Sequence, residues 1–312
     1  MKNSKSTNKH WLVEPLNPLS IGLKLSVLFV IAMANKSTPT QASWAITMVV
    51  FAALIIIPIA IEQVSKHPSV FFLSSDILLW HLPCAMFLAL SFLMNRSPLA
   101  GIFSLPYASW CMEVFLRGIK YEKKLPYLTY LITFAFLANA SIWLLFDRFG
   151  IQPLGFSAWI VILTGAHFHF AGFALMVSLS LFLSLNPHNQ LVRMTIIAIV
   201  VGIVLTASGI ITTQLGLGHE LETIAGVWMS ISATSAGYIF IKHSFAQSSP
   251  TKYLWLIGGV CLILAMVLAF LYAMRPVLAL EFLSMSFMQA IHGTLNALGF
   301  GTLVLLGWAL KK

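Results

Sequence analysis

The chain has 312 residues, of which 59% are hydrophobic and only 9% charged, and its formal net charge is +9. A water-soluble domain carries about 25% charged residues, so this composition excludes an ordinary soluble fold and makes lipid the main solvent. The positive charge does not point to nucleic acid, because the basic residues sit in short loops rather than on one amphipathic element.

A bilayer core of about 30 Å takes about 20 apolar residues per helix. The polar, lysine-rich start from Met1 to His10 has no small-residue cleavage site after it, so 1–17 is expected to be a cytoplasmic tail. Hydropathy then places helices near 18–35, 43–62, 76–95, 98–118, 126–146, 155–184, 192–213, 220–243, 252–274 and 282–310. Residues 18–312 read as a single transmembrane domain, an all-α polytopic bundle of about ten spans. Pro39, Pro68, Pro98, Pro126, Pro153, Pro187, Pro250 and Pro276 fall at or between the predicted ends. Only Asn95-Arg96-Ser97 separates the third and fourth spans, and one merged or broken helix is the alternative there. No internal repeat is visible. Cys84, Cys111 and Cys261 lie in apolar runs without Cys-x-x-Cys spacing, which speaks against disulfides and against a cysteine metal site.

Lysines and arginines set the direction. With the N-terminus inside, thirteen fall in cytoplasmic segments and four (Lys36, Arg96, Arg148 and Arg275) in outer ones. That bias predicts both termini inside.

Ionisable groups within a span are costly, so each is a functional candidate, with plain hydrogen bonding between helices as the alternative. The sixth span carries Thr164-Gly165-Ala166-His167-Phe168-His169-Phe170-Ala171-Gly172-Phe173. A spacing of two puts His167 and His169 about 200° apart on a helix, so they face different environments and cannot chelate one metal by themselves. His169 shares its face with Gly165 and Gly172, a bare strip that fits a planar cofactor or a neighbouring helix. The tenth span carries Gln289, His292, Asn296 and Gly299 at steps of three and four, a single polar stripe. Near the outer face, His219, Glu220 and Glu222 open the eighth span. Carboxylates there suit the helix dipole, and Glu222 is also a candidate to point inward. Near the inner face, Glu113 and Arg117 have the spacing of a structural ion pair, and Asp76 is placed to cap the third span, with Glu62 and His81 open to either reading. Phosphate loops, His-Glu-x-x-His and Gly-x-Ser-x-Gly are absent.

Two resemblances follow from these motifs. Arg148-Phe149-Gly150, Pro153-Leu154-Gly155-Phe156, His167-Phe168-His169-Phe170-Ala171-Gly172-Phe173, Glu222-Thr223 and His292-Gly293-Thr294-Leu295-Asn296-Ala297-Leu298-Gly299-Phe300 together resemble the YndJ-like family of bacterial membrane proteins, over roughly 125–310. That family has no established activity, so the resemblance implies a fold, a topology and a bacterial inner membrane. Locally, His167-Phe168-His169 is similar to the haem-ligating helix of haem–copper oxidase large subunits, and His292-Gly293 to the partner motif on another helix. The resemblance implies His169 and His292 as a haem-binding pair, with His167 left for a second cofactor or a transition metal. The copper-site histidine pair is absent and the motif order is reversed. Three functions remain open. One is a redox protein binding haem or a transition metal, another a proton-coupled carrier with Thr164, Glu222, Gln289 and Asn296 in a polar cavity, and the third an enzyme acting on a lipid-like substrate.

Overall fold

The computed structural model describes residues 18–34, 41–66, 73, 75–120, 127–278, 280 and 282–311. The expected tail over 1–17, and the side chain of Asp76, lie outside the described residues. All regular structure among the described residues is helical. The main helices are α1 (Pro18–Ala34), α2 (Ala42–Ser65), α3 (Ser75–Phe92), α4 (Pro98–Ile119), α5 (Tyr127–Phe149), α6 (Ala158–Leu185), α7 (Gln190–Gln214), α8 (Glu220–Ser244), α9 (Thr251–Ala273) and α10 (Met285–Leu310). Eight of them are long and apolar enough to cross a membrane, and two shorter apolar stretches, Ile21–Met33 and Ile77–Phe92, account for α1 and α3.

Local chemistry sets the borders. Ser97, Ser157, Asn189 and Ser284 each stand just before a helix, and each accepts a hydrogen bond from the backbone N–H three residues on. After α5 and α7, Gly150 and Gly216 adopt φ of +73°, which lets the chain reverse while Ile151 N–H and Leu217 N–H return to Phe146 and Thr212 carbonyls. The sixth span begins at Ala158 rather than near 155, because Pro153–Gly155 forms a separate turn with Leu154 at φ +53°.

The turn at 93–97 is a true break between α3 and α4. Arg148, at the end of α5, donates Nη1 to the carbonyls of Ser91 and Met94, which the end of α3 leaves without helical partners. Its guanidinium lies 4.4 Å from the Phe92 ring centroid, and its own carbonyl accepts from Ser97 N–H at 3.0 Å. One buried arginine thus ties down a turn too short to hold itself.

Three helices occupy the centre. The apolar windows of α2 and α6 are each 78% enclosed by protein, against 50% or less for the other six long helices, so these two are core elements. Both pack on α10 and on each other. Each of the three is interrupted by π-helical turns: Ala52–Ile56 in α2, Phe168–Ala174 in α6, and Gln289–Gly293 with Leu295–Thr302 in α10. The interruptions in α2 and α10 both pack against the one in α6. Such turns concentrate at functional sites, because they spoil regular hydrogen bonding and survive only with a compensating role.

Outside this centre, α8 and α9 approach closely. A methyl group added at Gly237 would stand 2.9 Å from Gly259 O, and one at Gly259 would stand 2.7 Å from Gly237 O. Small residues let membrane helices meet at backbone distance, where packing replaces the missing hydrophobic drive. Gly237→Ala is therefore expected to cost about 1–3 kcal/mol by overpacking, read as a lower unfolding temperature in detergent.

Candidate functional site

The histidines of the central helices share one design. His167 Nδ1 lies 3.1 Å from Leu163 O, His169 Nδ1 lies 2.7 Å from Gly165 O, and His292 Nδ1 lies 2.8 Å from Ala265 O. A carbonyl only accepts, so in all three rings Nδ1 carries the hydrogen and Nε2 presents its lone pair. What meets that lone pair differs at each site.

His169 is 0% exposed, and Tyr107 of α4 donates its hydroxyl to Nε2 at 2.8 Å. The two rings lie nearly parallel, 15° apart. Tyr107 also shares a hydrogen bond with the thiol of Cys111, and Cys111 with Ser141 of α5. The bare strip beside His169 is filled by a neighbouring helix. A methyl at Gly165 would stand 2.6 Å from the Leu144 side chain, and one at Gly172 would stand 2.9 Å from Phe136 Cβ, both on α5. His169 thus has neither a free lone pair nor an open slot. Tyr107→Phe is expected to cost about 1–3 kcal/mol, because it leaves the buried Nε2 without a donor. Thermal unfolding in detergent would show it, and an unchanged midpoint would count against this bond.

His167 faces the other way, as the spacing of two requires. Its side chain is exposed to a water-sized probe and yet surrounded by protein, as a group in a crevice is. It lies near enough to His292 for the two rings to interact electrostatically. Among the described residues nothing bonds to Nε2 of His167. His292 is less open. Its Nε2 meets the side-chain amide of Asn296 at 3.1 Å, and that amide also donates to His292 O at 3.0 Å. The polar stripe on α10 therefore arrives opposite His167, and the two centres are brought together by α6 and α10.

The remaining candidates divide. Gln289 accepts from Trp159 Nε1 at 3.0 Å, joining the start of α10 to the start of α6. Trp44 of α2 donates to Thr294 Oγ1 at 3.3 Å, one turn from Asn296. Thr164 turns its hydroxyl back to Ile160 O at 2.8 Å, so it serves its own helix. Glu222 is not in the crevice wall with the histidines. It is paired with Arg275 at 3.1 Å, with His219 at 3.9 Å, where α8 begins and α9 has just ended. Glu113 and Arg117 form the expected ion pair, at 2.6 Å.

Sequence reading missed Tyr107 and Asp147. Asp147 is fully buried and holds two arginines. Its Oδ1 accepts from Arg96 at 2.8 Å and its Oδ2 from Arg148 at 2.5 Å. The fifth span was expected to end at 146, which placed Asp147 and Arg148 among loop charges. The helix runs on to Phe149 and takes both into the interior. Burial of this pair carries no periodic signal, since each residue occurs once.

A haem between His169 and His292 does not fit this arrangement, because Tyr107 occupies the lone pair of His169. Among the described residues no cluster of three or more histidine, cysteine or acidic side chains is placed to hold a metal. A family model described as YndJ-like protein matches residues 47–300. No curated protein and no solved structure matches the chain.

Proposed function

The chain belongs to the YndJ-like family, and from that premise we propose that it is a proton-coupled carrier of the bacterial inner membrane, with His167, His292 and Asn296 as its central polar site. One observation carries this reading. Of three histidines with the same tautomer, only His167 presents an unengaged Nε2, and it does so from an accessible crevice opposite His292. A neutral imidazole in that state takes up a proton or accepts a hydrogen bond from a solute. The π-helical turns of α2, α6 and α10 supply irregular backbone at the level of the site, as the broken helices of known carriers do. We place both termini at the cytoplasmic face, on the thirteen-to-four distribution of basic residues.

A redox role would need His169 released from Tyr107, and we favour the carrier reading for that reason. The test uses the full chain in sealed vesicles with an imposed pH gradient and an internal pH dye. Wild-type protein is expected to dissipate the gradient faster than empty vesicles when the transported solute class is present, and His167→Ala to remove that excess. A screen of amino acids, sugars, organic acids and amines in which no solute produces excess proton movement would overturn the proposal. So would a stoichiometric chromophore in the purified protein.

A further inference from the structure

One end of the bundle gathers cations without a counter-charge. Lys242 and His243 lie in the last turn of α8, Lys252 lies in the first turn of α9, and Lys311 follows the end of α10. The charges of Lys242 and Lys311 both reach His243. Among the described residues, none of the three lysines forms an ion pair with an acidic group; the carboxylates are paired elsewhere.

The floor of this patch is aromatic. The Lys311 ammonium stands 4.9 Å from the Trp308 ring centroid and 5.9 Å from that of Trp255. Phe182 packs against both indoles. Trp255 Nε1 donates to Val304 O at 3.3 Å. Trp308 is only 7% exposed, and its Nε1 has no acceptor. A buried indole donor without a partner costs free energy unless something supplies an oxygen. Burial also pushes the Lys311 ammonium below its ordinary value, and a bound anion would oppose that shift. Phe245 and Tyr253, 65% and 55% exposed, flank the patch with apolar surface of the kind that sits at a membrane interface.

A donor without an acceptor, cations without an anion, and exposed aromatic rings at the ends of membrane helices call for one ligand chemistry. We propose that this patch binds an anionic phospholipid, its phosphate held by Lys242 and Lys311 and accepting from Trp308 Nε1 once the Lys311 side chain lifts, with its acyl chains against Phe245 and Tyr253. Each lysine near an anionic headgroup strengthens binding by roughly fivefold.

The test is native mass spectrometry of the full chain in detergent, titrated with phosphatidylglycerol and with phosphatidylcholine of the same acyl chains. Phosphatidylglycerol is expected to bind at least several-fold more tightly. The double variant Lys242→Gln/Lys311→Gln is expected to lose that preference, and Trp308→Phe, which keeps the ring and removes the donor, to reduce it. Should the double variant fail to fold, the preference of the wild type is expected to fade as salt is raised. Equal binding of the two lipids, or an unchanged preference in the folded double variant, would overturn the proposal. Displacement of phosphatidylglycerol by millimolar inorganic phosphate would overturn the assignment to lipid in favour of a free anion.

Discussion

His169→Ala lowers the unfolding temperature of the protein, whereas His167→Ala, two residues away on the same helix, leaves it nearly unchanged and removes proton-coupled activity. The first outcome follows from enclosure. The His169 ring is 0% exposed, stacks on Tyr107 and accepts its hydroxyl at 2.8 Å. Truncation leaves a cavity between α4 and α6 and a buried phenol without its acceptor. Together these cost about 2–5 kcal/mol. The second outcome follows from exposure. The only bond of His167 is to a carbonyl of its own helix, so its loss falls within about 0.5 kcal/mol of wild type. Thermal melts of both variants in one detergent, followed by the vesicle assay on each, separate the two roles. A large stability loss in His167→Ala, or none in His169→Ala, would reverse the assignment of the inner and outer faces of α6.

Asp147→Asn is expected to destabilise the fold by about 3–5 kcal/mol, comparable to the largest single-residue effects in the chain. Asn keeps the shape and removes the charge. The Arg148 side chain, 4% exposed, then remains buried with no anion beside it. Breaking one partner of a buried pair is far more costly than the net worth of the pair, because the surviving ion keeps its desolvation penalty. Arg96, with 36% of its side chain exposed, can turn to water, so Arg96→Ala is expected to cost less. The order Asp147→Asn greater than Arg96→Ala, measured by equilibrium unfolding, is the discriminating result. Equal effects below 1 kcal/mol would show that this knot does not hold the turn at 93–97.

Much of this architecture can be read from hydropathy, because membrane helices announce themselves by length and apolar content. The ten predicted segments correspond to ten helices, and the doubtful border at Asn95-Arg96-Ser97 is a real one. The opposite orientation of His167 and His169 also follows from helix geometry alone. The partners do not. Tyr107 and His169 are 62 positions apart, and Trp159 and Gln289 are 130 apart. No local pattern links them, so the sequence presents His169 as an available ligand when a tyrosine already fills its lone pair. The glycine strip beside it was legible as a place of close approach. Whether a cofactor or α5 fills that strip depends on packing between distant segments, which residue spacing does not encode.

The irregular turns at the centre have a consequence for chain length. A π turn holds one residue more than an α turn requires. Each interruption is thus a stored insertion, and deleting one residue within it can restore an unbroken helix rather than break one. The restored helix would, however, be rotated by about 100° beyond the deletion. Within Leu295–Thr302 such a deletion would swing Leu303–Leu310 around its axis and carry Trp308 off Phe182, its ring neighbour at 4.8 Å. The register between the two ends of α10 is therefore fixed by an odd residue in its middle. Shortening the helix by one position would leave each half intact and uncouple what the halves face.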